Sequence, residues 1–591
     1  MNGAQALMKT LADAGVTVCF SNPGTSEMHF VAALDAEPRM RAVLALFEGV
    51  ATGAADGYAR MAGKPAATLL HLGCGVGNGL ANLHNARKGR VPVVNIVGDH
   101  ATYHVKYDAQ LQSDIETVAR NVSKWVRTSA STAALGADAA EAVATAMGGM
   151  GGGGQVSTLI LPADVSWGDG GVPAALPTLA LPPVADEAVI AAITKAIQSG
   201  DKTALLLGAR ALREPGLMAA SRIAVQAGVQ LFAEVFPTRI ERGAGLPHVE
   251  RIAYLAELAS VQLQGFKHLI LVDAKSPVSF FAYPGKASDL VPAGCTVHTL
   301  ASPTQDAVGG LERLVRALGA EGATPRLQAP LRPDRPTGKL TAEKVCKAVG
   351  HLLPERAIIV DEAQTSGVML PHFTRGAPRH DVVTLTGGAI GQGLPNAVGA
   401  AIACPDRPVL ALVGDGSAMY TLQALWTMAR ENLNVTTIVF NNASYSVLNV
   451  ELERVGAERI GPKARSQLDI GGPRLDFARL AQGMGVHAVR AETAEDFVRA
   501  LEYALSRPGP HLIDAVVPES LHQPLRHLYA AYRALSAARD ARAREDGSDD
   551  RSRAGALAAP SEGATSRAAP RGRRARAGRR ARGNRRGPTD R

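Results

Sequence analysis

Short apolar runs alternate with longer amphipathic stretches through the first 165 residues. Runs at 16–20, 42–47, 66–72, 91–97 and 158–161 have the length and β-branched content of buried strands. Segments between them, such as 50–62 and 79–87, repeat their apolar residues at helical spacing. Strands separated by helices predict a parallel sheet with crossover connections, one α/β domain over residues 1–170. The glycine-rich segment 148–154 reads as a flexible loop, and 172–183, with four prolines, as an extended linker. The rhythm returns over 186–325, with strands at 203–207, 229–232, 268–272 and 295–300. After a Pro- and Arg-rich linker at 326–337 it returns again over 338–532, with a helix at 342–352 and strands at 357–360, 382–385, 409–413, 435–440 and 511–516. Nothing repeats at a period of about 20–50 residues, so the chain reads as α/β, three doubly wound parallel-sheet domains and not a solenoid. Strand signals stop beyond Tyr532, and residues 539–591 read as a disordered Arg-rich tail.

Charge sharpens that division. The 591 residues carry a formal net charge of +9, but sixteen arginines and seven acids fall in 539–591, which leaves 47 basic and 47 acidic residues before them. A balanced body speaks against nucleic-acid binding by the folded part and leaves it open only for the tail. The five cysteines, Cys19, Cys74, Cys295, Cys346 and Cys404, have neither paired nor metal-ligand spacing and read as reduced thiols. No apolar run approaches the ~18 residues of a membrane span, and the N-terminus lacks the pattern of a signal peptide, so a cytoplasmic protein is expected.

The chemistry is concentrated in the third domain. A strand ending at Val413 runs into Gly414-Asp415-Gly416-Ser417, and 24 residues separate this GDG from Asn441-Asn442 at the end of the next strand. Both motifs fall at the carboxyl ends of parallel strands, where open α/β sheets bind ligands. One carboxylate, one amide oxygen and a glycine turn with free backbone amides suit Mg2+ holding a diphosphate, because Mg2+ keeps phosphate and water in its octahedron and needs few protein oxygens. Either motif alone is equally compatible with an ordinary turn or a strand-ending cap.

Together, in this order and at this spacing, they resemble the signature of thiamine-diphosphate (ThDP) dependent enzymes. The resemblance covers about residues 3–530 and is to the acetolactate synthase, benzoylformate decarboxylase and pyruvate decarboxylase superfamily. It implies a pyrimidine-binding domain at 1–170, a middle domain at 186–325 and a diphosphate-binding domain at 338–532. It further implies Mg2+ on Asp415, the Asn442 side chain and the Ser444 carbonyl, with Gly414, Gly416, Ser417 and Tyr445 around the diphosphate. Gln364-Thr365-Ser366 looks like the other diphosphate loop, in which Thr365 and Ser366 bind cofactor. In Gly387-Gly388-Ala389-Ile390-Gly391-Gln392-Gly393, Ile390 is similar to the bulky apolar residue that bends the cofactor, and a backbone carbonyl near Gly388 would accept from the aminopyrimidine. Glu48, in Leu46-Phe47-Glu48-Gly49-Val50-Ala51, falls where the family places the carboxylate that protonates the aminopyrimidine, whose imino form then removes the thiazolium C2 proton. Leu72-Gly73-Cys74-Gly75-Val76-Gly77-Asn78-Gly79 looks like the family's Gly-rich turn, with Asn78 opening a helix; as a dinucleotide motif it lacks the third glycine.

The resemblance implies a 2-oxo acid substrate, decarboxylation, and a homodimer or homotetramer with active sites at subunit interfaces. Thr25 matches a loop serine and His71 a strand-ending histidine of benzoylformate decarboxylase; a core histidine with a satisfied hydrogen bond is an equal reading. That enzyme's middle-domain histidine has no counterpart in Ser276-Pro277-Val278-Ser279-Phe280-Phe281-Ala282-Tyr283. The expectation is therefore an acetolactate synthase-like carboligase, with a benzoylformate decarboxylase-like enzyme or a catalytically silent, regulatory paralogue as alternatives. FAD is not supported, since the Arg- and Asp-bearing FAD motif is not evident at 273–284. Phe280, Phe281, Tyr283, Tyr445, Val447 and Leu448 point to a partly apolar pocket, and His100 and His104 are further proton-transfer candidates.

Overall fold

The first sheet is built from β1 (Val18–Asn22), β2 (Arg41–Leu44), β3 (Ala66–His71), β4 (Val93–Asp99), β5 (Trp125–Thr128) and β6 (Val156–Pro162) in the computed structural model, which describes residues 1–148, 153–455 and 461–519. The order is β2-β1-β3-β4-β6-β5 and every pairing is parallel. Near-continuous apolar strands such as β4 and β6, buried almost end to end, are what a sheet covered by helices on both faces requires. The strand order reverses between β1 and β3, so the loops carrying Thr25 and His71 leave at the switch point, where a crevice opens.

The middle segment contributes β7 (Thr203–Leu207), β8 (Gln230–Ala233), β9 (Ile240–Arg242), β10 (Glu250–Arg251), β11 (His268–Val272) and β12 (Thr296–Ala301). Five of these form a parallel sheet ordered β10-β8-β7-β11-β12. The exception, β9, crosses over and pairs antiparallel with the third domain. That domain holds β13 (Ile358–Glu362), β14 (His380–Thr384), β15 (Val409–Gly414), β16 (Val435–Asn441), β17 (His487–Ala491) and β18 (His511–Val516), in a seven-stranded sheet ordered β17-β18-β16-β15-β13-β14-β9. Here the switch point lies between β13 and β15, under the loops at Thr365 and Asp415. The three sheets form one compact unit, and among the described residues no helix is long and apolar enough to cross a membrane. The five cysteines are unpaired.

Three-domain α/β architecture holds, and the differences are local. Strands β5, β9, β10 and β17 escape the sequence reading because they are short and half-exposed or sit at sheet edges, without a continuous apolar run. The Gly-rich stretch after β3 is no turn: the helix Leu72–Gly89 begins there and Asn78 lies inside it. Its glycines let neighbours approach, a Cβ on Gly79 lying 2.8 Å from Thr52 Cγ2. The proposed tail at 539–591 lies outside the described residues, as does most of the 148–154 loop.

First and third domains meet through two helices, Glu48–Ala62 and Gly393–Ala403. Their backbones come so close that a Cβ on Gly399 would lie 1.9 Å from the Ala54 carbonyl oxygen, and one on Gly57 2.2 Å from the Asn396 carbonyl oxygen. Around the seam Asp56 and Arg60 form a fully buried ion pair at 2.8 Å; Arg60 also donates to the Thr384 carbonyl and the Thr386 hydroxyl, and Asn396 to Asp56 and the Gly53 carbonyl. Every partner is thus satisfied, which a buried pair needs to offset its desolvation. Gly399→Leu should force the helices apart and lower the apparent melting temperature by several degrees, an overpacking effect of roughly 1–3 kcal/mol or more; an unchanged thermal-shift profile would contradict this seam.

Candidate active site

At the end of β15 the chain turns sharply into a short helix, Asp415–Ala418. Asp415 is only 3% exposed. Its carboxylate accepts from its neighbour Gly416 N at 2.8 Å and from Ala443 N, across the β16 loop, at 2.6 Å. Ala443 adopts a left-handed conformation (φ 61°), the strained turn that delivers its amide there. Burial nevertheless pushes the Asp415 carboxyl up to about 6, outweighing the amides. The site therefore favours a cation beside this oxygen. Asn442, Ser444 and Tyr445 gather on the same turn: Asn442 Oδ1 accepts from Ser444 N at 3.0 Å, and the Tyr445 ring lies against Gly416, where a Cβ would be 2.3 Å from Tyr445 Cε1. No group of three or more His, Cys, Asp or Glu side chains forms a metal cluster among the described residues. One carboxylate, one amide and one backbone carbonyl would suit Mg2+ with a diphosphate, which needs few protein oxygens. Buried Ser417 lies on the Asp415 helix, and Thr365 and buried Ser366 on the turn Gln364–Gly367 that leaves β13 at the same sheet edge. A cleft of about 420 Å³ beside His487, Arg490, Tyr503 and His511 lies at the amino ends of β17 and β18, the opposite edge, and is unrelated to these residues.

Loop 385–392 carries Gly388 and Ile390, and both glycines 388 and 391 have positive φ (77° and 95°). What holds it is Glu362, a residue the sequence reading passed over. This buried carboxyl at the end of β13 accepts from the amides of Gly391 (2.7 Å), Gln392 (3.2 Å) and Gly393 (2.6 Å). Burial pushes it up to about 7. From the first domain, Asn85 accepts from Ala389 N (3.2 Å) and donates to its carbonyl (2.7 Å). Ile390 is thus pinned on one side by the first domain and on the other by its own.

Glu48 opens its helix from the end of the loop after β2 and is 9% exposed. Asn78 donates to its Oε2 at 3.0 Å, and Gly75 leaves room for Oε1, a Cβ there lying 3.2 Å away. Asn82, one helical turn beyond Asn78, donates from one nitrogen to the Gly49 carbonyl (2.8 Å) and the Gly391 carbonyl (3.2 Å). The start of the Glu48 helix and the Ile390 loop are therefore neighbours within one chain. Asn82 is the residue that links them, through the Gly49 and Gly391 carbonyls.

His71, at the end of β3, is oriented by a second residue the sequence reading missed. Glu27 is wholly buried; its Oε2 lies 2.9 Å from His71 Nδ1 and 2.6 Å from Gly24 N, and its Oε1 accepts from Ser26 Oγ at 2.5 Å. A carboxylate on Nδ1 selects the tautomer with the proton there and leaves Nε2 as the free nitrogen. It is Ser26, at 3.3 Å, that touches His71, while Thr25 is exposed beside it. His100 and His104 lie in tilted ring contact, centroids 5.3 Å apart, on the loop after β4, at the same sheet edge.

Comparison with known proteins follows this geometry. Residues 1–120 match the N-terminal TPP binding domain of thiamine pyrophosphate enzymes and residues 361–515 their C-terminal TPP binding domain. The chain is 59% identical over 524 residues to the acetolactate synthase large subunit-like protein IlvX of Mycobacterium tuberculosis, covering 88% of this chain and 99% of that one. It is 29% identical over 553 residues to benzoylformate decarboxylase of Pseudomonas aeruginosa, covering 86% and 97%. Its fold resembles that of the ThDP-dependent 4-hydroxybenzoylformate decarboxylase of Rhodococcus jostii, with a TM-score of 0.75 at 24% identity over 88% of this chain and 99% of that one.

The buried Glu362 carboxyl gives a stability prediction. Its folded value, about 7, exceeds its usual 4.5, so across that window the folded chain holds a proton the unfolded chain has released. This residue's contribution to stability therefore falls as pH rises through the window. Glu362→Gln should flatten the pH dependence of the urea midpoint between pH 5 and pH 7.5; parallel profiles for variant and wild type would contradict it.

Proposed function

The chain belongs to the thiamine-diphosphate-dependent enzymes that act on 2-oxo acids, and on that basis we propose that it is a ThDP- and Mg2+-dependent 2-oxo acid decarboxylase. One observation carries the reading: a buried Glu48, oriented by Asn78, stands beside the loop that fixes Ile390. Asp415, the Asn442 side chain and the Ser444 carbonyl would hold Mg2+, with Gly414, Gly416, Ser417, Thr365, Ser366 and Tyr445 around the diphosphate. Glu48, Gly388 and Ile390 would hold the aminopyrimidine. The bound cofactor supplies the nucleophile and the electron sink for loss of CO2. Burial keeps bulk water from Glu48, and Asn78 holds its carboxyl oxygen in place to receive and return a proton.

The His71–Glu27 pair supports the decarboxylase outcome. Protonation in place of the departed CO2 needs a positioned acid, and His71 Nε2, with Glu27 stabilising the imidazolium from Nδ1, is such a group. A carboligase is the second reading, favoured by the absence of an imidazole from 276–283 and by the 59% identity to an acetolactate synthase large subunit-like protein. A silent paralogue is disfavoured by the presence of Glu48, Asp415 and Asn442 together.

A homodimer or homotetramer is part of this proposal. Leu46, Met28, Tyr103, Tyr107, Met419 and Tyr420 are exposed, on loops, short turns or helix starts that follow strands at the carboxyl edges of the first and third sheets. An apolar face of that kind fits coverage by a second copy. Light scattering at micromolar concentration should give at least twice the chain mass, and a monomer would count against it. Glu48→Gln should cut CO2 release from a 2-oxo acid by about 10²-fold or more while Mg2+-ThDP is still retained. Turnover near wild type would overturn the assignment. Aldehyde equal to CO2 is the product balance expected of wild type, and a 2-hydroxyketone in its place would favour the carboligase.

A further inference from the structure

The middle domain reaches the third domain through the segment between β11 and β12 that carries Phe280, Phe281 and Tyr283. Its anchor is the helix Ser446–Arg454, which directly follows the Asn441–Tyr445 turn. The Tyr283 hydroxyl donates to Glu451 Oε2 at 2.6 Å, and that of Tyr254 to Glu451 Oε1 at 3.3 Å. Arg454 stacks over the Tyr283 ring at 4.0 Å and pairs with Glu451 (2.7 Å) and with buried Glu257 (2.8 Å). Burial pushes the Tyr283 hydroxyl up to about 12, so it acts as a fixed donor.

This clamp delivers Phe280 to the cofactor loop. A Cβ on Gly388 would lie 2.6 Å from Phe280 Cζ, so the ring rests on the bare Cα face of Gly388, two residues from Ile390. Behind it stand Phe236 (ring centroids 5.9 Å apart), Tyr254 (5.3 Å) and Phe281 (4.9 Å), in tilted or edge-to-face contact. Phe280 and Phe281 nevertheless keep 42% and 55% of their surface exposed. Phe280 and Phe281, backed by two further rings, held by a buried ionic clamp and left partly uncovered beside Gly388, offer an apolar wall that a methyl group would scarcely fill and an aryl ring would.

We infer that this aromatic wall receives the substrate's side chain and selects 2-oxo acids bearing an aryl group over pyruvate. The inference rests on the ThDP reading above and names the substrate class of that site. For such a substrate the C1–C2 bond breaks, CO2 leaves, and one proton takes its place to give an aryl aldehyde, with no change that calls for an oxidant or a reductant.

Binding and turnover test it separately. In the Mg2+-ThDP complex of Glu48→Gln, in which turnover is slowed, calorimetry should show benzoylformate binding about tenfold or more tighter than pyruvate. Wild-type kcat/KM should show the same order. Adding Phe280→Ala should bring the two affinities to within about threefold, with Phe280→Leu intermediate and Mg2+-ThDP affinity unchanged in each. Equal affinities in the parent, tighter binding of pyruvate, or a preference that survives Phe280→Ala would overturn the inference while leaving the ThDP reading intact. Failure of the parent protein to hold Mg2+-ThDP would overturn that reading and the inference with it.

Discussion

The candidate site depends on two helices touching where side chains are missing. Glu48–Ala62 and Gly393–Ala403 approach until backbone meets backbone at Gly57 and Gly399, and the Asp56–Arg60 pair closes the polar groups around that contact. Each helix starts at a functional element: one at Glu48, the other directly after the Ile390 loop. Packing the two helices side by side therefore brings the start of the Glu48 helix to the loop, and Asn82 completes the junction by donating to the Gly49 and Gly391 carbonyls. A bulkier residue in the seam would separate the Glu48 helix from the Ile390 loop as well as the halves of the fold.

Besides the Asp56–Arg60 pair, the molecule buries carboxylates near that junction that are held chiefly by backbone amides. Asp415 and Glu362 are both pushed up by burial, yet each is surrounded by backbone amides. Amides organise a loop without neutralising charge; on this basis Asp415 is the proposed cation ligand, and Glu362 holds the 391–393 loop. Glu27 is a third buried carboxylate, and it faces Nδ1 of the His71 imidazole. The three acids thus differ in their surroundings: Asp415 and Glu362 face backbone amides, and Glu27 faces an imidazole.

Much of this was legible in the sequence because the signals are local. Parallel strands buried on both faces leave continuous apolar runs, and Asp415, Asn442 and Glu48 follow such runs directly. Glu27 and Glu362 were not legible, because their partners come from elsewhere in the chain: His71 lies 44 residues from Glu27, and the Gly391–Gly393 amides lie about 30 from Glu362. A motif specifies which residues adjoin in sequence, and these contacts are created by folding. The Gly-rich stretch after β3 misled for a related reason. Glycine clusters signal turns when backbone freedom is needed, whereas here Gly79 sits within a helix and its missing side chain admits Thr52. Strand β9 shows the same limit, since three half-buried residues become a strand only when β14 offers them an edge.

The central claim is that both domains of one fold close on a single cofactor. Hydrogen exchange followed by mass spectrometry, with and without ThDP and Mg2+, tests it most directly. Cofactor should slow exchange at 387–393, 414–417 and 441–446 and also at 48–52 and 78–85, in the first domain. Protection confined to the third-domain segments, or none at all, would contradict the account.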